Sequence, residues 1–297
     1  MKTLKVAFAT TIPTDAIPAI SAVNAINEKI PNAIELCLRT GGDFRDFGSF
    51  TDFINAAKNS HVVIAHLMGD LPDIDKLAEA LKPLRVPLMV SAPFFGGNNQ
   101  TKFTTVEAED KQKIFFYLYY GGTKNFENLM YYLANRFIGA DYTFEAPTRP
   151  SWEGIYHPAF DAVPSLSEYL EKRVDSNRLT VGLWFHQTHW QGGDTDFIND
   201  VINEIEAQGV NVLPVFFSGS KNPKLGMNGL DWVIDNYFLK DGKPIVDVIV
   251  SIFSFSFSTC LSGVDATNTL KRLGVPIIKA ITTCNTFEEW RDTMQGL

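Results

Sequence analysis

The short apolar runs that recur along this chain constrain its fold more than any other feature. "LKVAFATT" (4–11), "AIELCLR" (33–39), "HVVIAHL" (61–67) and "VPLMVSA" (86–92) have the length of strands, not helices. Runs this short that stay apolar on successive residues suit strands buried on both faces, as in parallel sheets. Between them lie segments with helical spacing. Ile20, Val23, Ile26 and Ile30 follow the first run, and Phe126, Leu129, Met130, Leu133 and Phe137 form one stripe of a helix beginning near Lys124. This alternation predicts a doubly wound, Rossmann-like α/β domain over 1–142.

The rhythm breaks at "TFEAPTRPSWEGIYHPAFDAV" (143–163), where Pro147, Pro150 and Pro158 with Gly154 predict an irregular, proline-rich crossing segment, assigned to 143–175. It then restarts. "LTVGLWF" (179–185) and "NVLPVFF" (211–217) read as strands, and a helix between them carries Phe197, Ile198, Val201, Ile202 and Ile205 before Gly209 stops it. "VDVIVSIFSFSFS" (246–258) reads as a buried strand ending in alternation, Phe253, Phe255 and Phe257 on one face and Ser254, Ser256 and Ser258 on the other. "GVPIIKAI" (274–281) is the last strand and "FEEWRDTM" the last helix, so a second doubly wound parallel-sheet domain is expected over 176–297.

Composition removes several classes of function. A formal charge of -8 with no Lys/Arg cluster argues against a nucleic-acid or anionic-membrane surface. No apolar run reaches the roughly 18 residues a membrane helix needs. Cys37, Cys260 and Cys284 are far apart and form no CxxC pair, which fits a reduced, cytoplasmic setting and excludes a structural zinc site. There is no GxGxxG after the first strand, no GxxxxGK[ST], no HExxH and no GxSxG. ATP, if the function uses it, is expected to be bound by another chain.

The densest chemistry lies in "WFHQTHWQGGDT" (184–195). Here a strand hands over to a helix, with Gly192 and Gly193 permitting the turn and Asp194 or Thr195 expected as N-cap. The carboxylates of Asp194 and Asp196 would compete with a phosphate at that helix start. Ligands of open α/β sheets collect outside the carboxyl ends of strands, where His186, Thr188 and His189 are expected to fall. His189, in a polar loop beside Trp190, is the candidate ligand-pocket residue, with a single axial contact to a metal left open. His61 and His66, inside a strand, read as hydrogen-bonded core groups. A second constellation is "EGIYHP" (153–158), where Pro158 holds His157 away from helical geometry. Two readings stand: a packing hinge anchored by Tyr156, or a cleft in which Glu153 and His157 join His189.

"GIYHP" (154–158), "VGLWFHQTHWQGGDTDFINDVINEIEAQGVNVLPVFF" (181–217), "VDVIVSIFSFSFS", "LGVPIIKAI" (273–281) and "TFEEWRDTMQGL" (286–297) stand in that order. Together they resemble the large subunit of the ATP-dependent metal chelatases, the family of the cobaltochelatase large subunit and the magnesium chelatase H subunit. "YGGTKNFENLMYYLA" (120–134) is similar to part of the same family's N-terminal region. The resemblance implies a tetrapyrrole-binding subunit into whose substrate Co2+ or Mg2+ is inserted, with ATP hydrolysed by separate AAA+-type subunits. It implies His157 and His189 as catalytic residues, His189 also as metal ligand, and Glu153, Tyr156, Gln187, Thr188, Trp190 and Asp194 as substrate-binding residues. Insertion calls for a base for two pyrrole N–H protons, an axial ligand and a held macrocycle. Gln187-Thr188-His189 stands where family chains show Arg-Ser-His, so the histidine is kept and the guanidinium, suited to a propionate or acetate, is replaced. Family chains are also several times longer. The resemblance therefore implies an N-terminal part or a short relative, inactive alone. From another class, a free-standing two-domain α/β protein binding a planar ligand without catalysis accommodates the same residues, as does a scaffold for ATPase partners.

Overall fold

The computed structural model describes residues 2–45, 47–93, 99–253, 266–283 and 286–292. It divides the chain into two compact units, Met1–Pro150 with Gln191–Gly193, and Ser151–Trp190 with Asp194–Leu297. Beyond Phe253, the alternation expected up to residue 258 lies outside the described residues, as do Cys260 and Cys284.

In unit one, β1 (Leu4–Thr10), α1 (Ala16–Lys29), β2 (Ile34–Thr40), α2 (Phe47–Lys58), β3 (Val62–His66), α3 (Ile74–Leu81) and β4 (Leu88–Ser91) alternate, followed by α4 (Ala108–Tyr120) and α5 (Gly122–Ile138). The strands form one parallel sheet in the order β2-β1-β3-β4. Side chains alternate across a strand. Leu4, Val6, Phe8, Val62, Ile64 and Met89 therefore enter one core with α1, α4 and α5. Ala7, Ala9, Val63, Ala65, Leu88 and Val90 enter the other with α2 and α3. Burial on both faces is what makes these strands read as unbroken apolar runs.

The stripe of α5 faces the first core, Phe126 meeting Phe8 with ring centroids 5.9 Å apart. Gly139, in the left-handed region at φ 69°, ends the helix. The chain beyond it lacks regular structure until β5 (Glu153–Ile155), yet its backbone is paired. Asn135, Asn128 and Asn125 of α5 accept from the N–H groups of Tyr142, Glu145 and Thr148 at 2.8–2.9 Å. Asn125 also donates to the Thr148 and Gly121 carbonyls. Replacing buried Asn125 by Ala removes its hydrogen bonds to the N–H and C=O of exposed Thr148, so about 1 kcal/mol of unit-one stability should be lost. Urea unfolding measures it; a loss under about 0.5 kcal/mol would show that the strap is incidental.

The stretch expected as an irregular connector over 143–175 is partly regular, its residues up to Pro150 belonging to unit one and those from Ser151 to unit two. It contains β5 and α6 (Leu166–Arg173), capped by the Ser165 hydroxyl accepting from the Glu168 N–H. Unit two continues with β6 (Thr180–His186), α7 (Gln187–Gly192), α8 (Asp196–Ala207), β7 (Asn211–Phe217) and α9 (Leu230–Val233). A small hairpin, β8 (Leu239–Lys240) and β9 (Lys243–Pro244), precedes β10 (Val248–Ser251), α10 (Ala266–Lys271), β11 (Ile277–Lys279) and α11 (Phe287–Asp292). The main sheet has the order β11-β10-β6-β7-β5, parallel except for β5, which runs antiparallel to β7. One face holds Trp184, Leu213, Val215, Phe217, Phe238 and Tyr169, whose hydroxyl donates to the Val212 carbonyl. The other holds Leu183, Phe185, Phe216, Ile198 and Ile202. Both units are thus mixed α/β, Rossmann-like folds. Among the described residues no helix is long and apolar enough to cross a membrane.

Candidate functional site at the carboxyl edge of the second sheet

In the order β11-β10-β6-β7-β5, the parallel strands β6 and β10 are neighbours at which the order of strand addition reverses, which is where doubly wound sheets hold ligands. His186 ends β6, and the residues expected as a loop instead form α7 at once. Gly193, in the left-handed region at φ 69°, closes it. The Asp194 N–H donates back to the His189 carbonyl at 2.9 Å, a Schellman closure. Asp194 is therefore no N-cap. Thr195 holds that position before α8 without a side-chain bond. The Asp194 carboxylate turns instead to His189, its Oδ2 3.1 Å from Nδ1. Since a carboxylate only accepts, Nδ1 is the donor and Nε2 is left as the ring nitrogen on the far side. The ring edge also packs on Phe197.

His186 is the more perturbed histidine. Burial, with neighbouring His189 adding to it, pushes its pKa down to about 4 against a backbone bond at Ser218, so the ring is neutral near pH 7. Its Nδ1 lies 2.8 Å from the Thr188 hydroxyl and its ring meets Phe253 edge-on. Gln187 is 5% exposed, and among the described residues its Oε1 has no hydrogen-bond partner. Ser251, at the end of β10, has an equally orphaned Oγ. Buried polar atoms of this kind call for a ligand or ordered water. Trp190 is half-buried, one indole face stacked on Phe216 at 4.4 Å.

Glu153 reaches the same end of the sheet because its register partner is Phe217, the partner also of His186. It serves the loop before α9, its Oε1 accepting from the Asn228 and Gly229 N–H groups, and burial raises its pKa against those bonds.

The cleft that was to join His157 to His189 is not formed. β5 runs antiparallel, so the chain beyond Glu153 moves toward the opposite end of the sheet. Tyr156 donates to Asn199 Oδ1 on α8. His157 lies further along the same helix, 3.2 Å from Glu206 Oε1, which Arg173 also holds at 2.6 Å. Ten residues of α8 separate Glu206 from Asp196, about 15 Å at the rise of a helix. Buried His157 has its pKa lowered by burial and by Arg173, against Glu206. It packs between Phe160 and Tyr169 as part of the α6–α8 contact. The packing-hinge reading describes Tyr156 and His157. Sequence reasoning left out His186 and Ser251 as site residues, although both end strands at the reversal point. Among the described residues no group of three or more His, Cys, Asp or Glu could hold a metal ion.

Comparison with known proteins gives the family and agrees with the fold. The model of the CobN/magnesium chelatase family matches residues 115–297, more than half of the chain. An uncharacterized protein of Methanocaldococcus jannaschii is 34% identical over 202 residues, covering 66% of this chain and 16% of its own length. The aerobic cobaltochelatase subunit CobN of a Sinorhizobium species is 26% identical over 255 residues, 81% of this chain and 19% of CobN. The catalytic subunit of cobaltochelatase from Mycobacterium tuberculosis matches in structure over 98% of this chain and 22% of its own, at a TM-score of 0.61 and 16% identity, a likeness of fold. The chain belongs to the CobN/magnesium chelatase family. It spans less than a fifth of the length of the two relatives named.

Proposed function

We propose that this chain is the part of a metal-chelatase large subunit that contributes to tetrapyrrole recognition during insertion of Co2+ or Mg2+, in the cytoplasm, with ATP hydrolysed by AAA+-type partner subunits. The observation that carries the reading is the family match over 115–297, which takes in the whole carboxyl edge of the second sheet. Metal insertion exchanges one M2+ for two pyrrole protons, so a site needs a neutral base and a nitrogen that can touch the metal. His189, oriented by Asp194, and His186, held neutral by burial, supply imidazoles of that kind. Gln187, Thr188 and the open face of Trp190 are the groups assigned to the ring and its substituents, and Glu153 keeps the adjoining loop in place.

Titration of a metal-free porphyrin and a metal-free corrinoid against the full chain, read by absorbance and fluorescence, tests this. Wild type should bind, and His189→Ala should weaken binding or, in the assembled complex, slow insertion about 10–100-fold, the range for a metal-site group. His157→Ala, on the α6–α8 contact, should leave binding unchanged. Equal behaviour of the two variants, or no binding by wild type, would sink the reading.

A further inference from the structure

The first sheet has a carboxyl edge of its own that the reading above does not use. Register pairs Thr40 with Thr10, Thr10 with His66 and His66 with Ser91, so the last residues of β2, β1, β3 and β4 stand in one row. By alternation they lie on the face of Phe8, Ile64 and Met89, so a row that is apolar along its length ends polar in four adjacent strands. The row crosses the reversal point between β1 and β3, the position at which doubly wound sheets hold ligands.

Its centre is built around a carboxylate. Asp15, 5% exposed just beyond β1, accepts from the Thr10 hydroxyl at 2.7 Å and lies 2.8 Å from His66 Nδ1 through the same oxygen. Opposite an accepting carboxylate oxygen that nitrogen is the donor, which leaves Nε2 as the ring nitrogen on the far side. His66 and Ser91 are each 2% exposed, and among the described residues neither His66 Nε2 nor Ser91 Oγ has a hydrogen-bond partner. Two orphaned polar atoms on neighbouring strands, beside a buried carboxyl group, suit an electron-pair acceptor that is cationic. A metal ion meets both conditions, and a histidine whose other ring nitrogen donates to a carboxylate is the arrangement metal-binding imidazoles use.

We propose that this edge is a transient site for a divalent transition-metal ion, with His66 Nε2 as its nitrogen ligand, Ser91 Oγ as a weaker second ligand and Asp15 as the group that orients the ring. The purpose of the site rests on the chelatase reading; its geometry does not. A resident metal needs three or four protein ligands, whereas a substrate metal that must leave again is served by one or two. Imidazole ligation also discriminates: it suits cobalt and its neighbours and offers little to Mg2+, which demands oxygen.

Uniformly 15N-labelled full chain titrated with CoCl2 and followed by 1H–15N NMR tests the site. Paramagnetic broadening should reach the His66 ring and the Ser91 amide before the ring of His61, at the far end of the same run, and tenfold excess MgCl2 should not reverse it. Asp15→Asn should raise the Co2+ midpoint about 10–100-fold, the usual effect of removing such a carboxylate. His66→Gln should abolish broadening at the Ser91 amide while leaving porphyrin binding intact. Broadening at Ser91 that survives His66→Gln, or none in wild type, overturns the proposal and leaves ordered water as the partner of the two atoms. Absent porphyrin binding with His66 still broadened would instead remove the chelatase reading and keep the metal site.

Discussion

Below pH 6.5 the second unit should lose stability steadily until about pH 4, and His186 should account for much of that loss. Its ring titrates near 4 in the folded chain because burial and neighbouring His189 disfavour the imidazolium, whereas an unfolded histidine titrates near 6.5. Between those values the unfolded chain takes up a proton that the folded chain refuses, so stability rises with pH across the window. It is fully present above 6.5 and fully reduced below about 4, a difference of roughly 3 kcal/mol if His186 acted alone. His157, whose pKa burial also lowers, adds in the same direction. Urea unfolding from pH 4 to 7.5 reads the slope directly. His186→Gln should flatten it, while His189→Gln, which leaves the burial of His186 in place, should flatten it much less; a slope unchanged in His186→Gln would place the proton uptake elsewhere.

The parts of the fold that were readable from sequence are those in which local pattern and tertiary environment agree. β1, β3, β6 and β7 are buried on both faces, so each announces itself as a short apolar run, and the stripe of α5 faces a core that accepts it whole. β5 carries no such signal. It is three residues long, it contains Gly154, and its partner β7 lies some sixty residues on, so only the finished sheet identifies it. α7 is too short to show a stripe, and its closure depends on Gly193 adopting a positive φ. The sites divide in the same way. The candidates within 187–194 are contiguous, so the sequence alone could propose them. His157 was misplaced because its partners, Arg173 and Glu206, are set by the direction of β5. His66 looked like a core histidine because its apolar neighbours in sequence say nothing of register. Only the alignment of Thr10, His66 and Ser91, with Asp15 reaching back from the turn, exposes a nitrogen without a partner.

Trp184→Ala should be the most damaging single substitution in unit two, at about 3–5 kcal/mol, the range for truncating a fully buried aromatic side chain. The indole stands edge-on to Phe217 and Phe238, each with centroids 5.5 Å away, in the core that also holds Phe253 and Tyr169. Two residues earlier Gly182 faces the same layer, where an added Cβ would fall 2.5 Å from Ile249 Cδ1 and 2.8 Å from the Phe238 ring. The sheet is thus already close to its neighbours beside the tryptophan, and little collapse can refill the space an alanine leaves. Trp190 gives the contrast. It is half-exposed and stacked on Phe216 through one face, so its truncation should cost only about 1 kcal/mol, of the order of one aromatic pair. Because β6 ends at His186, a slack core under Trp184 should also loosen the imidazoles beyond it. Trp184→Phe, which keeps most of the volume, should restore most of the stability and porphyrin binding together. Recovery of stability without binding would mean that the carboxyl edge is positioned by α7 and α8 alone.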